Sequence, residues 1–435
     1  MPTAGARAVP DRAVGACAAL AAVALVVLLV TPRASPAVLV MLALCVAIAG
    51  GRAAGFAVLV RPPLALTLVI GLGVWALLST TWAFDRGEAL SKSLLLIALA
   101  LAAGWTVHAV RFVAPQLLRR LTIAALLAWL LALLYLLTEE LTTHAIKRTF
   151  FTLFPVFQPP ARHIVRDAID NDLMLSPYLT NRNMAAATLA LWPALLIART
   201  AVDRSWRLPL MSVMLVASAV MVALSSHETS IIALVVACVV LAVTMAVPRL
   251  GLGVLAAGWL AATLLVVPMA TWALTSAKLE TATWLPNSAR HRIVLWGYTA
   301  QQVANRPLIG IGAASTKRLD VARGPSYSLY PGTHYEWRSG THAHNIYLQI
   351  WYELGAVGAA LLCAAGLALI ASLARLPRAS MPFAAASFAA AASMGASSWG
   401  LWQAWFLAAF AASAALSAIA VALDGVQDRE LPSAA

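Results

Sequence analysis

Apolar residues in this chain run in long blocks instead of alternating with polar ones. Blocks long enough to cross a bilayer fall at roughly 13–31, 36–56, 62–82, 93–110, 118–138, 183–201, 208–225, 229–247, 251–273, 345–373, 380–398 and 401–422. A membrane helix needs about twenty such residues, so the pattern predicts about twelve spans. The boundaries are softest at 36–56 and after 380, where Gly and Ser interrupt the pattern. No repeat of fixed period is visible. The blocks divide the chain into three parts. Residues 1–273 carry nine spans and an outer loop at 139–182, residues 274–344 form the largest soluble portion, and residues 345–435 carry three spans and a tail. The predicted class is an all-α polytopic membrane protein.

Composition agrees. The chain has 435 residues, 62% hydrophobic and only 11% charged, where a soluble domain has about 25% charged. No short apolar stretch with a small-residue cleavage site precedes the first block, so no removable leader is expected. All four cysteines, Cys17, Cys45, Cys238 and Cys363, sit inside apolar blocks. That excludes a zinc cluster and argues against disulfides. The net charge of +13 fits cytoplasmic anchoring and anionic lipid better than nucleic acid.

Basic residues in short loops set the orientation. With Arg7 and Arg12 inside, the inner loops carry Arg52 and Arg61; Arg111, Arg119 and Arg120; Arg199, Arg204 and Arg207; Arg249; and Arg375 with Arg378. The short outer loops carry only Arg33. Both termini are then cytoplasmic, and the long segments 139–182 and 274–344 fall outside. Within the first, Phe150–Phe157 is too short to span and contains Pro155, which predicts a segment lying on the outer leaflet.

Polar chemistry is densest against an apolar block at His342–Gly358, HAHNIYLQIWYELGAVG. At helical spacing His344, Leu348, Trp351, Gly355 and Gly358 share one face. Two glycines there predict close approach of a neighbouring helix. The field of a helix start disfavours imidazolium, so His344 is expected to be neutral and able to accept a proton near pH 7.

His344-Asn345 followed by Gly355-x-x-Gly358 resembles the signature of bacterial O-antigen ligases, within a superfamily that also holds O-antigen polymerases and oligosaccharyl ligases. The resemblance covers roughly the last two-thirds of the chain, with a weaker match around the third span. Asn287–Gly312 is similar to the superfamily's Arg-x-x-x-Trp … Pro-Leu-x-Gly-x-Gly segment, with Arg292, Trp296, Pro307, Leu308, Gly310 and Gly312 at the matching positions. Arginine suits a diphosphate because its planar fork makes paired charge-assisted bonds. Arg290 is a weaker candidate for the same task. Gly310-Ile311-Gly312 lacks the lysine and the setting of a P-loop, and no nucleotide motif is visible.

Thr180-Asn181-Arg182-Asn183 opens the sixth span. A cation at a helix start makes sense where an anion binds, and family members tend to have an Asn at the place of Asn183. Leu77–Leu96 resembles the family's Trp-x-x-Ser…Trp pattern and puts Arg86 and Lys92 at the outer water layer; Lys92 is the better substrate contact. The turn Ser225–Ser230 departs from the superfamily's Ser-Arg-Gly-Ala, with Glu228 where the arginine falls. No phosphate contact is assigned there. Two readings of His227 and Glu228 stand open: they shape the acceptor side, or they cap two helices. His342, His344 and the nearby His334 have no supporting carboxylate cluster, Asp320 and Glu336 being isolated by spacing, so no metal is assigned.

The resemblance implies a GT-C-like fold with a helical periplasmic domain between the ninth and tenth helices. It implies a multi-pass enzyme of the bacterial inner membrane. It also implies transfer of a glycan from undecaprenyl diphosphate to lipid A–core oligosaccharide on the periplasmic side. His344 would be the catalytic base. Arg292, Arg182 and Arg290 would hold the diphosphate, and Lys92, Asn183, His342 and Asn345 would touch substrate. Neither cofactor, metal nor nucleotide is called for. One displacement would invert the anomeric centre, since no carboxylate pair suits retention. O-antigen polymerase and protein O-oligosaccharyltransferase activities fit the same superfamily.

Overall fold

The computed structural model describes residues 11–50, 55–166, 173–324, 328 and 335–430. Arg7, Arg52 and His334, named above, lie outside them. The chain begins with α1 (Asp11–Val30), α2 (Ser35–Gly50), the single turn α3 (Ala57–Val60), α4 (Leu64–Leu78), α5 (Arg86–Ala109), α6 (Pro115–Leu141) and α7 (Ala145–Leu153). It continues through α8 (Asn181–Ala201), α9 (Arg204–Leu224), α10 (Glu228–Ala246), α11 (Pro248–Leu264) and α12 (Val266–Thr275). It ends with α13 (Asn287–Val303), α14 (Thr316–Ala322), α15 (Ile346–Leu373), α16 (Met381–Ser397) and α17 (Ala404–Glu430). The one sheet among the described residues is a two-stranded antiparallel ribbon, Ile164–Arg166 against Leu173–Leu175. This is an all-α, multi-pass membrane architecture.

Each of the predicted apolar blocks falls on a helix. Among the described residues nine helices are long and apolar enough to cross a membrane, or up to ten if the bent pair α11–α12 counts as one. The expectation of about twelve exceeds this because the apolar part of α1, Val14–Val30, and α16, with 17 residues, are short. The bend of 66° between α11 and α12 has a local cause. Pro268 offers no N–H, and its ring collides with the carbonyl four residues back, at Leu264.

Helix α8 is the axis of the bundle. Within its span 89% of residues are buried, against 22% for α9. Its sequence explains this: Ala185, Ala186, Ala187 and Ala190 let α17, α16, α9 and α6 close in around Trp192. Asn183 fixes its starting end by donating both amide hydrogens to Leu29 O at 2.7 Å and Val30 O at 2.8 Å. Those carbonyls close α1 and have no partner within their own helix. At the other end Arg199 pairs with Asp424 of α17 at 3.1 Å.

Helix α15 is not continuous. Gly355 has φ +67° and ψ −165°, and the break it opens is filled by the turn segment 307–312. Ile311 N donates to Tyr352 O at 3.1 Å, Gly312 N to Glu353 O at 2.8 Å, and Ala356 N to Pro307 O at 2.8 Å. Gly310, also at φ +67°, lies so close that a Cβ would enter the Glu353 backbone, and one on Gly355 would enter that of Leu308. The expected helix–helix contact at Gly355 and Gly358 is therefore corrected. Gly355 meets that turn segment, and a Cβ on Gly358 would meet Leu354 of its own helix.

The same junction buries Glu353. Its carboxylate accepts from Ala314 N at 2.9 Å, Thr316 N at 3.2 Å and Gln349 Nε2 at 3.2 Å, and from Thr316 Oγ1 and Trp402 Nε1. Ser79 at the end of α4 accepts from Ala313 N at 2.9 Å. Helices α13 and α14 are thus fastened to the ends of α4, α15 and α17. Helix α13 also packs on α12, where Gly297 lies against Leu274.

Candidate active site

Helix α13 brings Arg292 and Trp296 to one place because they are one turn apart. Trp296 Nε1 donates to Ala343 O at 2.8 Å, between His342 and His344. His344 has φ +54°, a left-handed conformation that a side chain with a Cβ adopts at a cost. The chain turns there, and Asn345 caps α15, its side chain accepting from Leu348 N at 3.0 Å. His344 therefore precedes the cap instead of starting the helix. The neutrality expected of it has a different cause from the helix field. Burial, then the charge of Arg292, pull its pKa down to about 4, against the pull of the Ser398 carbonyl.

That carbonyl fixes the tautomer. His344 Nδ1 lies 2.6 Å from Ser398 O. A carbonyl only accepts, so Nδ1 carries the proton and Nε2 keeps the lone pair. His342 packs on the same ring, centroids 4.1 Å apart at 38°. Burial and its charged neighbours lower its pKa to about 3.

His227, at the turn before α10, completes the cluster. Its Nδ1 lies 2.6 Å from Ser230 Oγ, its Nε2 3.3 Å from Ser398 Oγ, and its ring stacks on Trp399 at 4.9 Å. Burial and Arg292 lower it to about 3. Ser398 thus touches His227 through its hydroxyl and His344 through its carbonyl. Glu228 faces α13, accepting from Ser288 Oγ at 2.7 Å.

Arg292 is the cation that all three histidines feel. Burial weakens its hold on its proton, while the charge of Glu228 opposes that shift. Among the described residues no acid lies within ion-pair distance of it. Arg182, on the first turn of α8, lies 5.6 Å above the Trp405 ring, which meets Trp399 edge-on at 4.6 Å. Aromatic contacts thus link Arg182 to the ring stacked on His227.

Other expected residues have different surroundings. Arg290 bonds Asn287 and lies 5.9 Å from the Tyr335 ring. Asn183 holds α1, and Asn345 caps α15, as above. Lys92 pairs with Glu88 at 3.3 Å, well inside α5, which starts at Arg86 and not at Lys92 as expected. Sequence reasoning missed Ser398 and Trp399, from the short loop between α16 and α17, and Trp405, on the first turn of α17. Their signal was the run of tryptophans at 399, 402 and 405 beside a membrane end. It also missed Gly400, where a Cβ would come within 2.8 Å of His342.

The fold and site define a class: a multi-pass membrane protein with a half-buried cation and neutral histidines at one end of the bundle. Residues 213–363, from mid-α9 to mid-α15, match a family model described as O-antigen ligase. This segment, which holds His227, Arg292, His342 and His344, is thus similar to the O-antigen ligase family. Curated relatives carry the name "Putative polysaccharide ligase". One from Rickettsia felis is 36% identical over 72 residues, 16% of this chain and 17% of the relative. One from Rickettsia prowazekii is 35% identical over 81 residues, 17% of this chain and 18% of the relative. The alignments thus span less than a fifth of either relative.

Proposed function

We propose that this chain transfers a polysaccharide from undecaprenyl diphosphate to a sugar hydroxyl of lipid A–core oligosaccharide, on the periplasmic side of the bacterial inner membrane. The observation that carries the proposal is His344 with its Nδ1–H committed to Ser398 and its Nε2 lone pair left to accept, beside half-buried Arg292 with no acid at ion-pair distance among the described residues. An arginine so placed is costly without an anion. A diphosphate is an anion of matching geometry.

In the reaction the acceptor oxygen attacks the anomeric carbon as the bond from that carbon to the diphosphate oxygen breaks. The hydroxyl proton passes to His344 Nε2. Arg292, with Arg182 on the other side of the tryptophans, balances the charge that collects on the leaving diphosphate. His342 and His227, both neutral, keep the surroundings of that base free of a competing cation. One displacement inverts the anomeric centre.

The test is transfer in proteoliposomes holding purified chain, lipid-linked glycan and core glycolipid, together with glycolipid profiles of a deletion strain. Loss of polymer attachment to core is the expected result. Attachment of single repeats would make the chain a polymerase. Unchanged glycolipid with an unglycosylated outer protein would make it a protein glycosyltransferase.

A further inference from the structure

The opposite end of the bundle holds a second group of arginines, far from the chemistry. Helix α8 has 21 residues, so about 30 Å separate its Arg182 end from its last turn. There Arg199, Arg204, Arg207 and Arg378 line one cavity of about 400 Å³. Five elements supply it: the end of α8, the start of α9, the end of α10, the loop between α15 and α16, and the start of α16. Two of the four arginines are engaged by the fold. Arg199 pairs with Asp424, and Arg207 Nε donates to Val202 O at 2.7 Å. Arg204 and Arg378 are exposed, with no ion pair among the described residues. The rest of the wall is apolar, including Leu208, Met245 and Phe383. Leu208 is 73% exposed and Met245 62%.

We propose that this pocket binds the phosphate headgroup of an anionic phospholipid. Arginines that merely anchored the loops would point separately into water. Here they converge on one cavity, where planar guanidinium groups can share the oxygens of a phosphodiester. The exposed Leu208 and Met245 give acyl chains a surface beside the headgroup, which a soluble anion would not need. This face also carries the basic short loops, which is the side of a membrane rich in anionic lipid. The proposal does not depend on the reaction at His344.

The experiment is native mass spectrometry of the full chain in non-ionic detergent, titrated with phosphatidylglycerol or with phosphatidylethanolamine of the same acyl chains. Phosphatidylglycerol should bind preferentially. Arg204→Gln with Arg378→Gln removes two charges that hold no ion pair in the fold, and should weaken that binding about 10- to 30-fold. Arg111→Gln with Arg119→Gln removes the same charge from the same face outside the pocket, and should change it less than about twofold. Equal loss in the two double variants would show a diffuse field and overturn the site. Equal binding of the zwitterionic lipid would do the same. Displacement of phosphatidylglycerol by inorganic phosphate would make the pocket a soluble-anion site and overturn the lipid assignment.

Discussion

Arg292 and Arg204 carry the same charge at opposite ends of the bundle, in opposite settings. Arg292 is half-buried, surrounded by three neutral histidines, and feels a carboxylate, Glu228, that is engaged by Ser288. Arg204 is exposed beside an apolar rim. The difference lies in what each can do to its neighbours. A buried charge acts strongly on nearby groups, because little water screens it. Burial keeps the histidines neutral, and the charge of Arg292 adds to it. An exposed arginine acts through a screened field and matters in company with others. The histidine end is therefore suited to chemistry and the opposite end to adhesion.

The sharpest way to break that contrast is at the base. His344→Ala should leave insertion and folding intact and reduce transfer by about 10²-fold or more. Undiminished transfer by the purified variant would remove His344 from the mechanism. Arg292→Lys comes next. Lysine keeps the charge but loses the paired fork. A charge-assisted bond contributes about 1.5–3 kcal/mol, so the affected step should slow about 10- to 150-fold. If the contact tightens as the leaving group gains charge, the loss appears in turnover. Arg290→Lys is the matched control. Its partners Asn287 and Tyr335 belong to the same outer segment, and the change should cost less than about threefold. Equal losses in the two variants would erase the distinction drawn between these arginines.

A pH series tests the cluster as a whole. In the fold His227 and His342 are pushed down to about 3 and His344 to about 4. Unfolded, each returns to about 6.5. Below that value the unfolded chain takes up protons that the folded chain refuses. Stability is therefore full above about 6.5 and falls as pH drops from there toward about 4. Thermal unfolding in detergent should show this slope, and it should flatten in a triple His→Gln variant. In the same window transfer per folded molecule should hold its neutral-pH value, because His344 keeps its lone pair. A rate that halves near pH 6.5 would mean a base with an ordinary histidine pKa.

Much of the fold was legible because apolar blocks are a local signal. The predicted blocks are helical, except that 251–273 bends into two helices and 345–373 is broken at Gly355, and Arg292 with Trp296 stands one turn apart. Contacts made across the chain were not legible. Gly355 and Gly358 read as a smooth helix face, yet Gly355 breaks the helix to meet residues 307–312. The Pro-Leu-x-Gly-x-Gly segment resembles a superfamily segment whose role the sequence does not reveal, and its glycines serve that same backbone contact. Glu353 is a lone acid in an apolar block, a setting that calls for partners; they come from Gln349 of its own helix and from two distant segments, at Ala314–Thr316 and at Trp402. Ser398 could not be found in advance, because it works through a backbone carbonyl, which every residue has.

The smallest effect on catalysis is expected at Asn183, and it separates substrate contacts from helix fasteners. The residue matches a family position at the mouth of α8, beside Arg182, so a substrate role was the natural expectation. Both of its amide hydrogens are nevertheless given to Leu29 and Val30, at 2.7 and 2.8 Å. Asn183→Ala leaves those two carbonyls without a donor in a dry setting, at a cost of about 1–3 kcal/mol. The cost falls on the joint between α1 and α8, not on any group that must stabilise a transition state. Thermal unfolding in detergent should therefore move down by several degrees, while turnover per folded molecule stays within about twofold. Asn183→Asp sharpens the point: it keeps the shape, but its ionised carboxylate has no hydrogen to give and faces two carbonyl oxygens, so it should destabilise more than alanine. If alanine instead cut turnover tenfold with the melting curve unmoved, Asn183 would belong with Arg182 at the substrate, and the joint with α1 would be incidental.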